Sequence, residues 1–184
     1  YFSDLPLQHF LSKEISVVGL SYMHDKLVQV GQVAATTMNL LSLTADKQEP
    51  KLIKRNFYGE DINEIQFHPA YGELKKIAVQ SEMFRVKWES DLRIDFQHER
   101  HALGFSSAFI FAMSECGLFC PLCMTDGAAR LIDRYCTKED KERLLPHIGT
   151  SNAEDLYTGA MFLTEKSGGS DVGANLVTAT HVKD

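Results

Sequence analysis

Apart from a short segment between Asp46 and His68, the spacing of apolar residues changes once along this chain, near Thr150, and that change limits the folds open to it. Before it, apolar residues recur at helical intervals. From about Ile15 to Leu43, for example, Val18, Tyr22, Leu27, Val30, Val33 and Leu40 recur at spacings near three, four and seven. After it, LYTGAMFL and LVTATHV are rich in residues that favour strands and flank the glycine-rich stretch LTEKSGGSDVGAN. The expectation is a mainly α chain: a helical domain over residues 1–155, then the first strands of a truncated β domain over 156–184. With 184 residues, 44% of them hydrophobic, there is enough apolar side chain for one well-buried core.

Boundary signals divide the helical part. Ser3 and Asp4 can cap a short helix through LPLQHFL, and Gly19 and Gly31 are places where the long second helix could break. KLIKRNF and INEIQF alternate partially around YGED, which predicts a hairpin between Asp46 and His68. Pro69 is placed to start a helix, with His68 serving that start rather than contacting substrate. A helix from about Phe96 to Leu118 is apolar nearly all round and is expected between other helices. Another runs from about Cys120 to Tyr135. Thr137 with Asp140 forms a capping box for a short helix ending before Pro146, with Leu144 and Leu145 facing in.

Composition excludes some functions. The net charge of -6, with basic residues scattered among acids, disfavours nucleic acid as a partner of this segment. The longest apolar run, ALGFSSAFIFAM, is too short to span a bilayer, and no basic stretch followed by an apolar one opens the chain, so a cytoplasmic, membrane-free protein is expected. Cys120 and Cys123 form a CPLC pair with no second CxxC and no HxxxH, in a helical setting; the expectation is reduced thiols packed at a helix junction and no metal. His98, Glu99 and His101 lack the HExxH spacing of a zinc site and are expected on a solvated helix face.

The glycine loop matches neither common phosphate motif. Gly168 and Gly173 have P-loop spacing, but Ala174 and Asn175 stand where Lys and Ser or Thr are needed, and GxGxxG is absent. What remains is a glycine pair that lets backbone N–H groups approach an anion, beside the Ser170 hydroxyl. On these grounds an ordinary strand connection and a ligand loop both fit.

The residues MFLTEKSGGSDVGAN resemble the signature of the flavin-dependent acyl-CoA dehydrogenases, and FHPAYGEL, CPLCMTDGA and the Lys of LTEKSGGSDV are similar to the alkylation-response, AidB-type branch. The resemblance implies FAD as cofactor. It implies that Thr164 and the backbone of Met161, Phe162 and Leu163 bond the pyrimidine edge of the flavin, and that Gly169 and Ser170 meet the pyrophosphate. Glu165 is expected to stabilise the loop rather than act as a base. The resemblance also implies an acyl-CoA-like small molecule as partner, a homo-oligomer, and a catalytic carboxylate in a C-terminal helical domain, so no catalytic residue is assigned here. A helical interaction module that keeps this shape without redox chemistry is the rival reading.

Overall fold

The computed structural model describes residues 1–166, 168–180 and 182. Nine α-helices occur among them: α1 (Leu5–Glu14), α2 (Val17–Val33), α3 (Asn39–Ala45), α4 (Pro69–Gln80), α5 (Arg85–Trp88), α6 (Ser90–Asp95), α7 (Arg100–Ala112), α8 (Phe119–Tyr135) and α9 (Lys138–Ile148). β1 (Lys51–Arg55) and β2 (Asp61–Gln66) pair antiparallel, and they are the only ladder among the described residues. The mainly α expectation therefore holds.

Caps explain where several helices begin. The Asp4 carboxylate accepts from Leu7 N, the His68 ring Nδ1 accepts from Ala70 N just before Pro69, and the Thr137 hydroxyl accepts from Asp140 N. α9 does not stop before Pro146 but runs through it to Ile148. Proline costs one backbone bond there, and the Gly149 N–H closes the end on Leu145 O at 2.8 Å.

The long second helix does not break at either glycine. Gly19 lies against the Glu99 carboxylate and Gly31 against Tyr1, approaches that a side chain would block. The irregularity falls instead at Ala34–Met38, a π-helical turn joining α2 to α3. It leaves Ala34 O free to accept the Ser114 hydroxyl at 2.8 Å, and it buries Met38 completely.

The core lies where α2, α4, α5, α7 and α8 meet, around Met23, Leu27, Leu74, Val86, Phe111 and Leu122. The hairpin stands outside it. In its turn the Asn56 side-chain oxygen accepts from Tyr58 N and Glu60 N, and Gly59 adopts a φ of 85°.

A polar knot ties α2 to the α4–α5 corner. Glu82, buried and at a φ of 66°, accepts the Tyr22 hydroxyl at 3.1 Å and pairs with Arg85 at 3.1 Å. Burial first, then the charge of Glu82 and its hydrogen bond, push the Tyr22 pKa up from 10.0 to about 12. Because the folded state favours the neutral phenol, its contribution is complete below the unfolded value and fades as pH rises from 10.0 to about 12. We expect the melting temperature to fall across that window, and less steeply in Tyr22→Phe; equal slopes in both proteins would show that Tyr22 is not responsible.

After residue 155 the alternating segment forms no ladder among the described residues; one isolated bridge joins Glu165 and Gly168. A strand requires a neighbour for its N–H and C=O groups, and the residues that lie beside this segment, 175–177, are bonded to it through the side chains of Asn175 and Glu165 and form no backbone ladder with it. The chain instead runs extended beside the helices. Tyr157 stacks on His147 with ring centroids 4.0 Å apart, and Gly159 N donates to the Thr125 hydroxyl at 3.1 Å.

Candidate functional site

Helix α8 carries two features on adjoining faces. One face receives the extended segment, where Gly159 lies against Met124, Thr125 and Ala128. The next face lines a cavity of about 470 Å³ between α5, α7 and α8.

The cavity wall is mostly apolar, from Met83, Phe84, Trp88, Ala108, Phe119 and Leu122, and one charged pair interrupts it. Lys87, only 1% exposed, places its Nζ 2.6 Å from Asp126 Oδ1, and the same oxygen accepts Trp88 Nε1 at 2.8 Å. The ammonium also sits 4.4 Å from the centre of the Phe105 ring. Burial pulls the Lys87 pKa below its usual range, and the charge of Asp126 opposes this. Behind the pair, Arg100 Nη1 donates to Lys87 O at 2.9 Å while its guanidinium lies over the Trp88 ring and pairs with Asp133.

His101 belongs to this cavity and not to a solvated face. Its ring meets Trp88 edge-on at 5.5 Å, and Arg130 Nη1 lies 3.3 Å from its Nε2. Burial, followed by the cations Arg100, Lys87 and Arg130, lowers its pKa and favours the neutral ring. Glu99 likewise leaves the solvated face: it accepts Ser16 N at 2.6 Å and the Ser16 hydroxyl at 2.7 Å, fastening the start of α2 to α7. His98 is exposed, as expected.

All four thiols are free, but they are not packed: Cys116, Cys120 and Cys123 are exposed and Cys136 is half-buried. Cys123 lies at the open side of the cavity, among its lining residues, while Leu122 and Thr125 enter the core. Burial and then the Asp126 charge raise the Cys123 pKa, which suppresses its thiolate.

The loop keeps its shape without a sheet. Glu165 N donates to Gly168 O at 3.1 Å and Gly168 N to Glu165 O at 3.0 Å. The Glu165 carboxylate then reaches across to accept Leu176 N and Val177 N, each at 2.8 Å, and Asn175 Nδ2 donates to Leu163 O at 2.8 Å. Gly168 holds a φ of 133°, which side chains rarely adopt, and a Cβ on Gly169 would lie 2.8 Å from the Thr164 hydroxyl oxygen. Met161, Phe162, Leu163, Thr164 and Ser170 are exposed around this bridge. The loop thus brings Thr164 against Gly169 and leaves hydroxyls and strand-like backbone open to a ligand.

A helical domain followed by this braced glycine loop defines the class: the N-terminal part of an acyl-CoA dehydrogenase-like protein. The model of the adaptive response protein AidB N-terminal domain matches residues 1–153, and the chain belongs to that family. It is 27% identical to the putative acyl-CoA dehydrogenase AidB of Escherichia coli (strain K12), over 100% of this chain and 34% of that protein. It is 22% identical to acyl-CoA dehydrogenase family member 11 of Caenorhabditis elegans, over 83% of this chain and 25% of that protein. Among solved structures, the apo-form of Bd2924 superimposes with a TM-score of 0.83 at 25% identity, covering 97% of this chain and 36% of its own. Caenorhabditis elegans ACDH-11 in complex with C11-CoA superimposes with a TM-score of 0.78 at 20% identity, covering 95% of this chain and 29% of its own. The chain therefore spans about a third of the length of these relatives or less.

Proposed function

We propose that this chain supplies the helical domain and one wall of the flavin site of an FAD-dependent acyl-CoA dehydrogenase-like oxidoreductase. The intact protein removes hydrogen across the α,β bond of an acyl thioester or a related substrate. The observation that carries this reading is the braced loop, in which Glu165 fixes both limbs and leaves Thr164 and Ser170 exposed. Bound FAD supplies the acceptor for the hydride leaving the substrate.

The roles of this chain are to bind and to orient. The Thr164 hydroxyl and the amides of Met161, Phe162 and Leu163 suit the edge of the ring where negative charge collects on reduction, because each can offer a hydrogen to an anionic acceptor. Gly169, with no Cβ, and the Ser170 hydroxyl suit a diphosphate. The apolar cavity beside α8 suits the chain of an acyl group, a ligand class to which the C11-CoA held by ACDH-11 also belongs. A cytoplasmic homo-oligomer completes the proposal; no helix among the described residues is long and apolar enough to cross a membrane.

Reduction potential separates orientation from retention. In the full-length protein, Thr164→Val should shift the potential of bound FAD while most of the flavin is retained, because the substitution removes one donor at the ring and none at the diphosphate. Spectroelectrochemical titration of both proteins reads this directly. An unchanged potential, or full-length protein that binds no FAD at all, contradicts the proposal.

A further inference from the structure

The cavity contains a cation with spare hydrogen-bonding capacity. Lys87 is 1% exposed, and its ammonium lies under the exposed Phe105 ring, 4.4 Å from its centre, while Arg130 is exposed at the rim. An ammonium has three N–H donors. Asp126 is the one ion-pair partner of Lys87 among the described residues, and the other neighbours of its ammonium are the Phe105 and Phe84 rings at 4.4 and 5.5 Å, which offer no oxygen or nitrogen acceptor to the two remaining donors. A buried charge held against hydrocarbon is costly, so a ligand that fills the space beside it with CH₂ groups alone strips those donors of any partner.

We propose that Lys87 determines specificity: the cavity takes an acyl chain bearing an acceptor oxygen, hydroxyl or carboxylate, at its distal end in preference to plain hydrocarbon. The inference rests on the acyl-thioester reading above. A chain that enters past Arg130 presents its far end to Lys87, and a site built to bond an oxygen rejects the analogue that lacks it more strongly than an apolar pocket rejects a longer chain. The Lys87 and Asp126 charges cancel, so both kinds of oxygen are admitted. Arg130 has no carboxylate within ion-pair distance among the described residues and leaves the rim positive.

The test uses full-length, FAD-loaded protein and calorimetric dissociation constants for octanoyl-, decanoyl- and dodecanoyl-CoA beside their ω-hydroxy and ω-carboxy counterparts. The expected result is one chain length at which an oxygenated chain binds about tenfold or more tightly than the plain one. Comparing the hydroxy and carboxy series tells which oxygen is preferred. Lys87→Met should reverse the preference, and the wild-type comparison stands without that variant. Plain chains that bind as tightly at every length, or a preference that survives in Lys87→Met, overturn the proposal. If no thioester binds but free ω-hydroxydecanoic acid outcompetes decanoic acid in a Lys87-dependent way, the acyl-thioester reading fails and the role of Lys87 stands. If the free acids also bind alike, both fall.

Discussion

Asp126→Ala should destabilise the helical domain by about 3 to 5 kcal/mol, the range for removing one partner of a buried ion pair. The carboxylate serves two groups at once: Lys87 Nζ at 2.6 Å, on a side chain 2% exposed, and Trp88 Nε1 at 2.8 Å. Its removal leaves an ammonium and an indole N–H inside an apolar wall. Lys87 can answer only by giving up its proton. Its pKa is already depressed by burial, so the deficit should shrink as pH rises towards the unfolded value of 10.5 and be largest near neutral pH. The double variant Lys87→Met/Asp126→Leu should recover the part of the loss that comes from the unpaired ammonium, leaving that of the Trp88 N–H, which still lacks its acceptor. Urea unfolding of the three proteins decides this, and a double variant as unstable as Asp126→Ala would show that the pair is not the cause.

Gly104→Val should cost about 3 kcal/mol, at the upper end of the usual range for overpacking. Gly104 sits in α7 where α5 crosses it. A Cβ there would lie 2.7 Å from Met83 O and 2.8 Å from the Lys87 methylenes, and the nearest of these is a backbone atom that cannot swing aside. The missing side chain lets the stem of Lys87 lie flat on α7 and so places its ammonium in the cavity. Gly72 in α4 is the contrast: nothing lies within 4 Å of a Cβ there, and Gly72→Ala should stabilise by about 0.5 to 1 kcal/mol. Similar effects from the two substitutions in thermal unfolding would contradict the contact at Gly104.

These two sites mark what the sequence could not disclose. α1, α4 and α9 begin where Asp4, Pro69 and Thr137 announce them, because a cap is a local bond between residues two or three apart. The cavity depends on residues from three separate helices. In the four-residue helix α5, Val86, Lys87 and Trp88 are all buried in succession, so no periodicity singles out the lysine. A Lys directly between Val86 and Trp88 was the available sign, and Arg85 two residues before it makes that sign weak. The π-helical turn at Ala34–Met38 was hidden for a similar reason: it answers the Ser114 hydroxyl from the turn that follows α7, distant in sequence. Strand propensity after Thr150 was legible, but a ladder also requires a partner that the described residues do not supply. The loop was legible residue by residue, since Thr164, Gly169 and Ser170 belong to one contiguous motif. The bond from Glu165 across to Leu176 and Val177 could be seen only in three dimensions.

The central claim is that this loop holds FAD, and the affinity of the full-length protein for FAD, with and without Ser170→Ala, tests it most directly. Removing the hydroxyl takes away one charge-assisted hydrogen bond to the diphosphate and leaves the backbone donors, a loss of about 1.5 to 3 kcal/mol, or roughly tenfold to a hundredfold in dissociation constant. The account predicts that flavin fluorescence titration shows a weakening of that size. An affinity unchanged by Ser170→Ala, or an intact protein that does not bind FAD, would contradict it and leave the loop a connection within a helical interaction module.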